Sequence, residues 1–307
     1  MEKFTIDTRY VHVEHAALDG PAIQQTVPTT EAQREVFVAS SMGDDASCAY
    51  NESVSLRLTG SLDVSALQKG VMALSTRHEG LRAVCDANGM RMVVLEECTI
   101  AVPLVDLSGQ DNDARSAALH VIAEHDMTTA FDLVNGPLLR AQIIRLAPEE
   151  HLLRITGHHI ICDGWSLGII MADIGRFYSA FAAGTSPALP EAIPFSAFAL
   201  AQLEFQRSPE HAVTEKFWLD QFSGPIPRLE LPTDRPRPKY KTYKSERIDV
   251  ELRQDLVRGL KEVAVRNGSS FVTTLLTAFE TLMYKLTGDG DIVWGLPAAG
   301  ESDFGMK

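Results

Sequence analysis

Gly157-His158-His159-Ile160-Ile161-Cys162-Asp163-Gly164-Trp165-Ser166 places two adjacent histidines, an aspartate four residues beyond the second, and a glycine turn at the end of an apolar run from His151 to Ile161. The run reads as a strand. Successive strand side chains point to opposite faces, so His158, Ile160 and Cys162 would share one side while His159, Ile161 and Asp163 share the other. The two histidines then cannot do the same job: His159 is expected as the exposed acid/base group and His158 as a buried hydrogen-bonding support. A strand ending as early as Ile160, which Gly164 favours, would release the later residues from that parity.

Duller readings bear on the same residues. Zinc needs further ligands, and neighbouring histidines facing opposite ways are poor co-ligands. Cys162 as a nucleophile would point away from His159, and an apolar strand cysteine is usually inert packing. Two histidines on a strand, taken alone, are more often satisfied structural residues than catalytic ones.

Outward from this stretch the chain alternates strands and helices, the pattern of an α/β protein. Upstream, Thr30-Glu31-Ala32-Gln33 offers a helix cap, Glu52 to Leu58 alternates Val54, Leu56 and Leu58 as a half-buried strand, and Asp63 to His78 is a helix facing inward through Leu67, Val71 and Leu74. Met90 to Leu95 and Leu138 to Leu146 are further strands. Downstream, Leu167, Ile170, Met171, Ile174, Phe177, Tyr178 and Phe181 recur at helical spacing, which predicts a helix from about Trp165 to Ala183, stopped by Gly184. Beyond proline-rich breaks at Pro187 to Pro194 and Ser223 to Lys241, the expectation is a strand near Arg247 to Leu252 and helices at about 253–266 and 270–286, then a strand at Asp291 to Trp294.

A chain of 307 residues exceeds the usual size of one core. Residues 1–27, ending in Gly20-Pro21, read as an arm or linker, 28–190 as a first lobe carrying the histidines, and 191–307 as part of a second lobe. The formal charge of -13 argues against nucleic acid as a partner. No apolar stretch suits a membrane span, the N-terminus lacks a signal peptide, and the four cysteines have no CxxC spacing, so a cytoplasmic setting is expected.

The stretch from Gly157 resembles the His-His-x-x-x-Asp-Gly motif of the condensation domains of nonribosomal peptide synthetases. Other segments are similar to that family's elements, and in its order: Thr30 to Phe37, Arg77-His78-Glu79-Gly80-Leu81-Arg82, Phe131 to Arg140, Ile193 to Ala199, and Leu231-Pro232-Thr233-Asp234-Arg235-Pro236-Arg237-Pro238. The resemblance implies two chloramphenicol acetyltransferase-like lobes in a V, with a tunnel between them. Family members continue past the point where this sequence stops, so it also implies a second lobe that is incomplete here.

It further implies amide formation between an upstream carrier-bound acyl or peptidyl thioester and the amine of a downstream carrier-bound aminoacyl thioester. The partners would be donor and acceptor carrier proteins and adjoining synthetase domains. The domain would bind no cofactor of its own, the phosphopantetheine arms belonging to the carriers. By resemblance His159 and Gly164 are the catalytic candidates, Asp163 pairs with Arg82 to support the motif beside His158, and Trp165 and Ser166 are candidates to line the tunnel. Trp165 before Ser166 favours condensation over the related epimerization domains; a related acyltransferase or a carrier-docking module without chemistry are the alternatives.

Overall fold

The computed structural model describes residues 21–243, 245–246 and 248–296. In chain order the elements are β1 (Ile23–Pro28), α1 (Glu31–Ser40), α2 (Asp44–Cys48), β2 (Asn51–Thr59), α3 (Val64–Arg77), a 3-10 turn (Glu79–Arg82), β3 (Ala83–Cys85), β4 (Arg91–Leu95) and β5 (Leu104–Asp106). There follow α4 (Asn112–Thr128), β6 (Leu139–Ala147), β7 (Glu150–His158), α5 (Gly164–Ala182), α6 (Phe195–Gln206), α7 (Pro209–Gln221), α8 (Gln254–Arg266) and α9 (Phe271–Thr287).

Helix starts follow local chemistry. Thr30 and Gln33 form a reciprocal capping box on α1, and Asp63, Asp163 and Ser270 each accept a hydrogen bond from a backbone N–H in the first turn of α3, α5 and α9. Gly184, at φ +66°, takes the left-handed conformation just beyond α5.

Two sheets organise the strands, one in the order β1-β4-β3 and the other β2-β7-β6-β5. In the larger sheet β2, β7 and β6 are antiparallel neighbours, and β5 joins β6 in parallel. Period-two alternation splits it between two helical layers. Leu153 and Ile155 of β7 and Leu139, Ala141 and Ile143 of β6 pack with α3 and α5, through Leu67, Val71, Leu74, Ile170, Ile174 and Phe177. Ile144 and Leu146 face the other way, with Leu119 and Ile122 of α4 against them. The smaller sheet shares a second core with Phe131, Leu133, Leu138 and Ile160.

Several sequence expectations change here. β1 takes up residues 23–27 of the segment read as an arm, pairing with β4. The strand expected to run to Ile161 ends at His158, because the Ile161 N–H turns back to the His158 carbonyl at 3.0 Å. Leu56, expected inside with Val54 and Leu58, is exposed on edge strand β2. The described residues 248–252 and 291–296 form no strand, and among the described residues no strand lies paired beside them. Arg247 and residues 297–307 lie outside the described residues.

Candidate active site

The end of β7 positions the motif. Thr156 and His158 point to the α4 side of the sheet, where Thr156 Oγ1 donates to Asp126 Oδ2 at 3.3 Å. His158 is fully buried there, its ring against Tyr50 and edge-on to Phe131. Its Nδ1 accepts from the Ile160 N–H at 3.3 Å, which leaves the hydrogen on Nε2, 3.4 Å from Ser40 Oγ. Burial above all, helped by the charge of neighbouring His159, lowers the His158 pKa to about 4, so this ring is neutral at physiological pH.

His159 leaves the strand. Its N–H bonds the Tyr50 carbonyl at 2.8 Å, its ring stacks on Tyr50, and its side chain keeps 38% of its surface open. Nδ1 lies 3.0 Å from the Cys162 carbonyl oxygen and 2.9 Å from Glu52 Oε1. Both neighbours can only accept, so the ring hydrogen belongs on Nδ1 and Nε2 carries the lone pair. Among the described residues Nε2 has no hydrogen-bond partner.

The early end of β7 also overturns the parity expected for Cys162. A Cβ on Gly157 would meet Cys162 Sγ at 2.6 Å, so Cys162 sits on the face that Gly157 leaves empty, opposite that of His158. Burial, with Glu52 and Asp163 nearby, pushes its thiol up to about 12. That keeps the sulfur protonated and unreactive.

Asp163 caps α5, accepting from the Ser166 N–H at 2.8 Å and the Ser166 hydroxyl at 2.6 Å. Burial works to raise its pKa, but these two hydrogen bonds and the charge of His159 outweigh it, and the net direction is down. The expected pair with Arg82 does not form. Arg82 instead donates to the Ser75 and Thr76 carbonyls at 3.0 and 3.3 Å and to Gln24 Oε1 at 2.8 Å. A cap within its own turn suffices for Asp163, and Arg82 follows the 3-10 turn back to the end of α3.

Gly164 opens α5, and its N–H belongs to the first-turn amides that lack an intrahelical acceptor. Open space surrounds it, with nothing within 4 Å of where a Cβ would stand. Trp165 is 68% exposed. The structure therefore gathers His158, His159, Asp163, Gly164 and Ser166 at one strand-to-helix turn and leaves Arg82 apart. Glu52 and Tyr50 were missed, because an acid in an alternating strand carries no signal until the register sets Glu52 opposite Gly157 and Asn51 opposite His158.

A family model described as "Condensation domain" matches residues 23–303. The chain belongs to the condensation-domain family. Its similarity to tyrocidine synthase 3 of Brevibacillus parabrevis is 34% identity over 279 residues, 91% of this chain and 4% of that protein. To the phosphinothricin tripeptide synthetase PhsC of Streptomyces viridochromogenes it is 32% over 285 residues, 92% of this chain and 26% of the relative.

Among solved structures, the condensation domain from the Monacolin K polyketide synthase MokA superposes with a TM-score of 0.73 at 19% identity, covering 87% of this chain and 61% of that one. The first condensation domain of the calcium-dependent antibiotic synthetase gives 0.69 at 19%, with 88% and 63% covered. At such identities the superpositions establish the mixed α/β fold of these domains. This condensation domain thus spans rather less than two thirds of those structures and a small part of the synthetases.

Proposed function

We propose that this condensation domain forms an amide, in the cytoplasm, between an acyl or peptidyl group on a donor carrier and the amine of an aminoacyl group on an acceptor carrier. The observation that carries the reading is the His159 ring: open to solvent, held through Nδ1, with Nε2 presenting a lone pair. A carrier-borne amine placed at Nε2 attacks the donor thioester carbon. The new C–N bond forms, the C–S bond breaks, and the amine proton passes through Nε2 to the departing thiolate.

A free α-amine has a pKa of about 7.7 to 8.0, so much of it is already neutral and orientation is a large part of the ring's work. The Gly164 N–H is the donor proposed for the developing oxyanion. Asp163 and Ser166 hold the first turn of α5, and His158 fills the space behind the strand end. Two lobes frame a tunnel to this point in the proposed assembly, with a carrier at each mouth supplying its own phosphopantetheine arm.

The test mixes the full-length protein with loaded donor and acceptor carriers and measures amide product by mass spectrometry. Product is expected from the wild type, and His159→Ala should lose roughly 10² to 10⁴ in rate, the usual share of general-base help. Wild-type turnover in His159→Ala would remove the ring from the mechanism. Carrier binding without amide from the wild type would identify a docking module instead.

A further inference from the structure

We propose that Glu52 is the positioning carboxylate of His159, holding the ring by Nδ1 from across the strand pair and balancing the charge that the ring acquires when Nε2 takes up a proton. The proposal rests on the role of His159 argued above. β2 pairs antiparallel with β7, and the register sets Glu52 opposite Gly157. Directly opposed residues share a face of the sheet. Gly157 contributes no side chain on that face, and Cys162 folds into the place it leaves.

The Cys162 carbonyl and the Glu52 carboxylate therefore meet at one atom, His159 Nδ1, at 3.0 and 2.9 Å. Of the two acceptors the neutral carbonyl holds the ring hydrogen more weakly than the carboxylate does. Only the carboxylate can answer a full positive charge.

Glu52 is also poorly placed for a purely structural acid. Among the described residues His159 is its one ion-pair partner, and its second oxygen, Oε2, is buried without a hydrogen-bond partner. Burial foremost, and the like charge of Asp163, raise its pKa, while His159 opposes them. A carboxylate kept for stability would be better served by one of the arginines that satisfy Asp126 and Asp173 elsewhere in the molecule. Groups held at such a cost collect where chemistry needs them.

Two variants of the full-length protein test this. Glu52→Gln keeps the shape and removes the charge, whereas Glu52→Asp keeps the charge on a shorter arm. In the loaded-carrier assay kcat should fall at least roughly 10- to 100-fold in Glu52→Gln, the loss seen for carboxylates that orient metal-bound histidines, with KM for both carriers unchanged. Glu52→Asp should recover most of that loss. A side chain that only fills space reverses the order, with Gln tolerated and Asp damaging, and that result overturns the proposal.

Nitrogen NMR of the His159 ring, recorded without substrate, separates this proposal from the amide-forming reading. The wild-type ring should carry its hydrogen on Nδ1, and Glu52→Gln should mix the two neutral tautomers. Identical ring signals in the two proteins overturn the role of Glu52 whatever the carriers do. Responsive ring signals in a wild type that makes no amide uphold Glu52 and remove the reading instead.

Discussion

Residues 22–206 and residues 207–296 are patterned alike and packed differently. α5 and α9 both repeat apolar residues at intervals of three and four, yet α5 buries Ile170, Ile174 and Phe177 against α3 and the sheet, while α9 buries only Met283 and leaves Phe279, Leu282 and Leu286 about half exposed. Among the described residues after 206, Ala264 and Met283 are the only buried hydrophobic ones. The strands divide the same way. β7 is paired with a strand on each side, whereas among the described residues the apolar runs at 248–252 and 291–294 belong to no sheet. Amphipathic pattern states which face is apolar; it does not supply the surface that covers it.

Three experiments test this contrast and the site that the first region holds. The largest effect is expected from truncating the two regions in parallel. Ile155→Ala, in the fully buried centre of β7, should cost about 2 to 5 kcal/mol in chemical unfolding, whereas Leu282→Ala on the open face of α9 should stay within about 0.5 kcal/mol. Equal losses would show that the second region is packed as firmly as the first.

Next comes the pH dependence set by His158. Its pKa falls from 6.5 in the unfolded chain to about 4 in the fold, so the stability it contributes is intact above pH 6.5 and is lost as pH drops toward 4. The full loss is about 3 kcal/mol. The melting temperature of His158→Phe should fall less steeply than that of the wild type across this window; parallel curves would mean that the ring is not neutral in the fold.

The smallest effect is expected at the start of α5. Asp163→Ala removes a helix cap and should cost about 1 kcal/mol, less than the roughly 3 to 5 kcal/mol of a broken buried ion pair. A double-mutant cycle with Arg82→Ala should return no coupling, since among the described residues Arg82 bonds to Ser75, Thr76 and Gln24 instead. Strong coupling would restore the pairing that the sequence resemblance suggested.

Much of the first region was legible from residue order. The cap at Thr30, the inward stripe of α3 and the long helix after the motif follow from side chains a few residues apart, and local hydrogen bonding and apolar spacing decide them; the caps at Asp63 and Asp163 emerged only in the structure. Short β3 and β5, and α4 with its weak apolar stripe, escaped because nothing periodic marks them. The family resemblance was likewise carried by short segments in order, and the family match over residues 23–303 agrees with it.

The sequence alone determined that two histidines would stand late in an apolar strand before a long amphipathic helix, because that arrangement is local. Tertiary structure decided the rest of the site: that β7 stops at His158, that Cys162 folds beneath Gly157, that Arg82 turns away from Asp163, and that Glu52 arrives at Nδ1 from another strand. Each of these depends on contacts between residues far apart in the chain. Register and packing set such contacts, and neither is written in any one segment.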